Sequence, residues 1–288
     1  MIPSIRRSLC ASAALLATLA AHAAPSTPGA PGTPAAQAPA TGPCAGSYLL
    51  CDDFSAAAID TSKWVVGDTD IAGQYPVRPG NVSLATYDDK GTPITVVDTK
   101  IYGDLHKAAP RQGGLLITKK KFGGGRYEAR MRVLPGPNGC SCMWNYFDSD
   151  NEPDPPAKRI YTEIDIEMPA HMNTPPAWAT WQRTLGFNTW SHSDKDSDAT
   201  YIDWLSQTVD PFDGAFHVYR WDWRDGKNGS ARIDWYVDDV LQTSTTKHVG
   251  SHSAQLWVGN WPAPWPGMDY AFDTLHLYID WVRISALP

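Results

Sequence analysis

Hydrophobic and polar positions alternate along this chain in short runs, and the three-to-four spacing of a helix is almost absent. Gly125 to Val133 places Tyr127, Ala129, Met131 and Val133 on one side and Arg126, Glu128, Arg130 and Arg132 on the other. A period of two marks a strand with one buried face. The pattern recurs over Tyr161–Met168, Leu185–Trp190, Val218–Trp223, Arg232–Val237, Gln255–Trp261 and Leu275–Ile284. Gly, Pro, Asn and Asp punctuate the runs, as turns between strands require. A short helix is expected only at Tyr201–Ser206. Many strands at short spacing predict an all-β fold, a two-sheet sandwich or jelly roll.

The first residues belong to a different class. Arg6 and Arg7 precede an apolar run from Leu9 to Ala20, and Ala21-His22-Ala23 supplies a small-x-small cleavage site. Residues 1–23 read as a secretory signal peptide, with the Arg pair also compatible with twin-arginine export. The apolar run falls short of the ~20 residues of a membrane span. Cys10 precedes that run instead of following it, which argues against lipidation. Residues 24–42 are almost entirely Ala, Pro, Gly, Ser and Thr, a linker composition that cannot bury a core. Residues 43–288 are then one catalytic-size all-β domain. The expected destination is secreted or periplasmic.

Charge narrows the partners. The 288-residue chain carries a net −7, and removing Arg6 and Arg7 with the leader makes the rest more acidic. Such a chain has no electrostatic attraction to nucleic acid or to anionic membranes. With 13 Trp and 12 Tyr it has aromatic surface for stacking on neutral molecules as well as for a core. Four cysteines follow the leader. An exported chain keeps disulfides, and Cys44 with Cys51 closes a short loop. Cys140 and Cys142 would stand ~6.5–7 Å apart in a flat strand, the upper limit for a bond. Bonding them needs a local turn, which Pro135-Gly136-Pro137-Asn138-Gly139 allows. Zinc is a poor alternative, because no paired histidine spacing accompanies them.

The chemistry concentrates in Glu163-Ile164-Asp165-Ile166-Glu167. On a strand, Glu163, Asp165 and Glu167 share one face, while Ile164, Ile166 and Met168 share the other. Three neighbouring carboxylates with no interleaved Lys or Arg repel one another, which stability alone would avoid. A solvated acidic edge and a calcium cluster are the bland readings, although calcium usually draws its carboxylates from a curved loop. Glycosidic bond cleavage needs such a group. One carboxylate must be ionised to attack, and another must hold a proton for the leaving oxygen. Crowding splits their pKa values. The two Glu stand ~13 Å apart at Cα in a flat strand, so they must lean together across a concave sheet to act on one bond.

This strand, with Tyr161 two residues before the first Glu, resembles the active-site strand of glycoside hydrolase family 16, which includes lichenases, laminarinases, agarases, carrageenases and xyloglucan transferases. Asp52-Asp53-Phe54 with Ser62-Lys63-Trp64, Gly113–Lys119, Phe122–Arg130, Phe216–Trp223, Ile233–Asp238 and Asp280–Arg283 resemble further segments of that family, in order. The resemblance implies a β-jelly roll of two curved antiparallel sheets with a cleft across the concave one. It places the nucleophile at Glu163, an assisting carboxylate at Asp165 and the acid/base at Glu167. It implies a retaining endo-β-glycosidase on a polysaccharide, β-1,3/1,4-glucan before others, working as a monomer. No cofactor is required for the chemistry, and a structural calcium is left open. The strict alternation Glu-x-Asp-x-Glu is the lichenase and xyloglucan-enzyme form. The segment after Val249, with Trp257, Trp261 and Trp265 among prolines, departs from familiar members.

Substrate contacts are expected from Trp144 and Tyr146 on the preceding strand, from Tyr161, from Asn188 and Trp190 on the following strand, and from Trp261. Trp221, Trp223, Trp235 and Trp281 read as core. His217 reads as structural, and Arg78 and His106 sit in loops whose relation to the cleft the sequence does not decide. A transglycosylase would use the same carboxylates, and a non-catalytic lectin on the same scaffold would have no use for an acid/base pair.

Overall fold

A computed structural model describes residues 42–71, 75–108, 110–136, 138–169, 184–191, 197–203, 210–265 and 267–288. The signal-peptide and linker segments lie outside these residues but for Gly42. The strands run in chain order as follows. β1 is Leu50–Asp52, β2 Trp64–Val66, β3 Thr69–Ile71, β4 Tyr75–Val77, β5 Val82–Asp89 and β6 Thr92–Tyr102. β7 is Gly114–Thr118, β8 Gly125–Arg132, β9 Cys140–Asp148, β10 Tyr161–Met168, β11 Thr184–Ser191 and β12 Ser197–Asp203. β13 is His217–Arg224, β14 Arg232–Val237, β15 Val240–Thr245, β16 Gln255–Trp261 and β17 Thr274–Ser285. Among the described residues no helix is long and apolar enough to cross a membrane.

Two large antiparallel sheets form the jelly roll. One is ordered β12-β11-β10-β9-β16-β7-β2; the other is ordered β15-β14-β13-β8-β17-β6-β5, with β1 on β17. β3 and β4 make a separate hairpin. The core lies between the sheets. Ile164, Ile166 and Met168 of β10, Phe187 of β11 and Val258 of β16 meet Tyr127, Ala129 and Met131 of β8 and Tyr219, Trp221 and Trp223 of β13. All of these side chains are buried, as the alternation requires. Fully burying one such side chain is worth about 1.5–3 kcal/mol, so the inward face of β10 anchors the strand that carries the carboxylates.

Two expectations need correcting. Of the helix expected at Tyr201–Ser206, Tyr201–Asp203 belongs to strand β12, paired with β11, and residues 204–206 lie outside the described ones. Pairing with an existing sheet supplies backbone partners that an isolated two-turn helix would lack. Trp281 is buried but stands outside the inter-sheet core, against the Arg283 guanidinium at 4.4 Å. The cause is a register shift between Ile279 and Trp281, after which Val282 and Ile284 face inward. One extra residue in a strand exchanges its two faces.

Both cysteine pairs are bonded. Cys44–Cys51 and Cys140–Cys142 each have a Cα separation of 5.6 Å. The second pair is thus closer than a flat strand allows. Gly139 before it has φ +114°, and a Cβ there would lie 2.4 Å from Ile101 Cδ1, so the turn into β9 demands glycine. His217 sits between Asp238 (2.6 Å) and Asp213 (3.2 Å), which raises its pKa and fixes the β13 end.

Candidate active site

The outward face of the seven-stranded sheet reads as a grid. Across it, Glu163 lies between Trp190 of β11 and Tyr146 of β9, with Gln255 of β16 beyond. In the next row Asp165 lies between Asn188 and Trp144, with Trp257 beyond. In the third, Glu167 lies between Gly186 and Cys142, with Gly259 beyond. Trp261 follows, opposite Cys140. The carboxylate column is therefore flanked by aromatic rings at one end and by small residues beside Glu167. Gly259 is obligatory there: at φ +141° a Cβ would lie 2.4 Å from the Gly114 carbonyl oxygen.

A cleft of about 590 Å³ opens over this grid, with Glu163, Asp165 and Glu167 in its lining. That is the size range of a specific ligand site. Trp144 and Trp257 stack at 5.4 Å, and Tyr146 meets the Trp257 ring edge-on at 6.1 Å. Trp261 packs edge-on to Trp265 at 5.5 Å. These rings, with Val77, Leu115 and the bonded cysteines, make a second apolar cluster on the cleft side of the sheet.

The carboxylates differ in state. Burial pushes Asp165 well above the usual carboxylate range, and the charges of Glu163 and Glu167 add to the effect. Burial pushes Glu163 up to about 7, while hydrogen bonds from Tyr161 and Asp165 favour its ionised form. The consistent arrangement is a protonated Asp165 that donates to Glu163, and the Trp190 side chain also bonds Asp165. On the other side the Tyr161 hydroxyl donates to Glu163 Oε2. Burial, then the neighbouring Glu163, pushes the Tyr161 phenol far up, so it stays a donor. Glu167 is half-buried and lines the cleft. Glycosidic cleavage asks for two carboxyl groups in different protonation states, and this column supplies two Glu with a proton-holding Asp165 between them.

The expected contacts divide by position. Trp144, Tyr146 and Trp261 line the cleft. Tyr161 and Trp190 turn their polar atoms to the carboxylates. Asn188 is half-buried and bonds the backbone N–H of Thr189. Trp257, Lys121, Glu152 and Thr69–Ile71 also line the cleft without having been singled out. Trp257 was readable, because it shares a strand face with Trp261. The others depend on distant loops meeting. Arg78 braces the β3–β4 hairpin through Asp70 at 2.6 Å. Lys121 pairs with Glu152 at 2.5 Å. His106 stacks on Tyr102 and bonds Asp273. Among the described residues no three His, Cys, Asp or Glu gather as metal ligands, and the acidic pair Asp89 and Asp280 is bridged by Arg130.

Comparison with known proteins gives a family model, curated relatives and similar structures. The family model described as "Glycosyl hydrolases family 16" matches residues 74–283. A "Beta-glucanase" of Acetivibrio thermocellus is 25% identical over 209 residues, 70% of this chain and 52% of that one. The chain thus spans about half the length of that curated relative. Among solved structures, a Bacillus licheniformis beta-glucanase aligns with a TM-score of 0.60 at 18% identity, covering 83% of this chain and 98% of that chain. A Bacteroides ovatus family 16 protein in complex with a mixed-linkage glucan product aligns with a TM-score of 0.60 at 19% identity, covering 82% and 99%. At these identities the structures attest the fold.

Proposed function

The chain belongs to glycosyl hydrolase family 16, and on that premise we propose that it is an exported, retaining endo-β-glycosidase that cuts a polysaccharide of the β-1,3/1,4-glucan type. The observation that carries the reading is the column Glu163–Asp165–Glu167 on the floor of an aromatic cleft. Glu163 attacks the anomeric carbon, the glycosidic C–O bond breaks, and Glu167 gives its proton to the leaving oxygen. Glu167 then takes a proton from water, which attacks the glycosyl-enzyme and releases Glu163. Asp165 holds its proton against Glu163 throughout. Two carboxyl groups complete this cycle, so the chemistry needs no cofactor. The flat faces of Trp144, Tyr146, Trp257 and Trp261 suit neutral sugar rings, and the curated relative named a beta-glucanase supports a glucan. The leader over residues 1–23 supports export, and one chain supplies the whole column, which supports action as a monomer.

The test is the anomer released first from a mixed-linkage β-glucan, followed by NMR. Retention is expected, and inversion would overturn the roles. Glu163→Ala should be inactive and, with azide, yield a glycosyl azide of inverted configuration. Glu167→Ala should lose about 10²–10⁴-fold in kcat on the polysaccharide and, with azide and an activated leaving group, yield the retained azide. Transfer to added oligosaccharide in place of water would make the enzyme a transglycosylase.

A further inference from the structure

We propose that Tyr161 and Arg159 are positioning residues for the nucleophile. The Tyr161 hydroxyl holds Glu163 in place and in its ionised form, and Arg159 holds Tyr161. The inference rests on the reading of Glu163 as nucleophile.

Tyr161 and Glu163 are two apart on β10 and share its cleft face. The ring of Tyr161 is 8% exposed, and it is not part of the cleft wall that Tyr146 and Trp257 form. Phe would fill the same space. The hydroxyl therefore has a polar task, and among the described residues its partner is Glu163 Oε2. A phenol that keeps its proton at every working pH is a constant donor. A hydrogen bond to a carboxylate favours the charged form and fixes which oxygen points at the substrate.

The ring is itself clamped. Tyr146 meets it edge-on at 5.6 Å and 88°. The Arg159 guanidinium lies 4.8 Å over its centroid. Arg159 makes two parallel bonds to Asp148, at 2.9 and 2.6 Å. Asp148 also accepts from Asp150 N–H at 3.1 Å and Tyr146 O–H at 3.4 Å. Arg159 thus ties the end of β9 to the start of β10, two residues before the ring it covers. It has a second effect. Asp148 by itself would push Glu163 up, and Arg159 opposes it. Among the described residues the charged and titratable groups around Glu163 are Tyr161, Asp165 and, beyond it, Glu167 on its own strand; Tyr146 and Asp148 on β9; and Arg159 before β10. Trp190 on β11 spends its side-chain hydrogen bond on Asp165. With Asp165 on one flank and Tyr161 on the other, removing either hydroxyl donor leaves the nucleophile half-supported.

The experiment reads Glu163 directly. Protein carrying ¹³C at the Glu carboxyl carbons is titrated by NMR, and the Glu163 signal is identified by its loss in Glu163→Gln. In Tyr161→Phe the Glu163 midpoint should rise by about one unit. The acid limb of kcat/KM on β-glucan should move with it, and KM should stay within about twofold, because the substrate-facing wall is intact. Arg159→Met should move the midpoint in the same direction. An unmoved midpoint in Tyr161→Phe would overturn the proposal, and so would a raised KM with kcat retained, the signature of a substrate contact. If the midpoint rises while the wild type cleaves no glycan, the positioning stands and the proposed function fails.

Discussion

Asp165 shows how much chemistry one residue can cost the fold. Its pKa lies well above the ordinary carboxylate value because it is buried between two other carboxylates. At a pH between the unfolded and folded values the native state holds a proton that the unfolded chain has released, so stability falls as pH rises through that window. Asp165→Asn removes the titration. The variant should match the wild-type Tm at pH 4 and exceed it at pH 8 by at least about 2–4 °C, the shift expected for one kcal/mol in a domain of this size. Lower stability at pH 8 would mean that Asp165 is ionised and engaged. The three carboxylates were legible in the sequence because period two is enforced wherever the opposite face packs a core, here Ile164 and Ile166. The Tyr161 hydroxyl was not legible as a partner of Glu163. An aromatic two residues upstream gives its face but not the direction of its O–H, which Tyr146 and Arg159 determine from other parts of the chain.

At the scale of elements, β9 and β16 form the aromatic wall, and their rings are not equivalent. Trp144 is 9% exposed and stacked on Trp257, whereas Trp261 is half-buried at the cleft edge. Trp261→Ala should raise KM by about 3–10-fold, the equivalent of one stacking contact, with a Tm loss of only a few degrees by calorimetry. Trp144→Ala should cost about 3–5 kcal/mol, as large core truncations do, and lower Tm sharply. Equal losses for the two would mean that Trp261 is packing and not a subsite. Alternation located β8, β10, β11, β13, β14, β16 and β17, and β10, β14 and β16 match their runs at both ends. Failures fall where alternation is interrupted or irrelevant. The shift in β17 turns Trp281 outward, and the Tyr201–Asp203 segment is a strand only because β11 is there to pair with it. The β3–β4 hairpin reaches the cleft by a fold-level path that no local pattern announces.

At the scale of the whole molecule, ion pairs tie neighbouring strands on the outer face of the eight-stranded sheet. Arg126 bonds Asp222 and Arg283 bonds Glu128, each through two nitrogens. His217, held by Asp213 and Asp238, adds a pH-dependent member. Because its pKa is raised, its contribution is full below the unfolded value and is lost as pH rises through the folded one. His217→Gln should therefore lower Tm at pH 6 by about 2–4 °C, one ion pair's worth, and have little effect at pH 9. An equal loss at both would show that packing, and not charge, holds the residue. The alternation of β9, β10 and β16 has a last consequence, for the gene instead of the protein. Every second codon in these stretches answers to folding, and those between answer to the cleft. Ile164, Ile166, Met143 and Val258 are locked to the opposite sheet, whereas Trp261, half-buried at the cleft edge, can be rewritten without consulting them. A scan of all single substitutions for folded yield across β16 should rise and fall with a period of two codons, broken at Gly259, where only glycine fits. That rhythm would let a lineage remodel its cleft one codon at a time while keeping its shape.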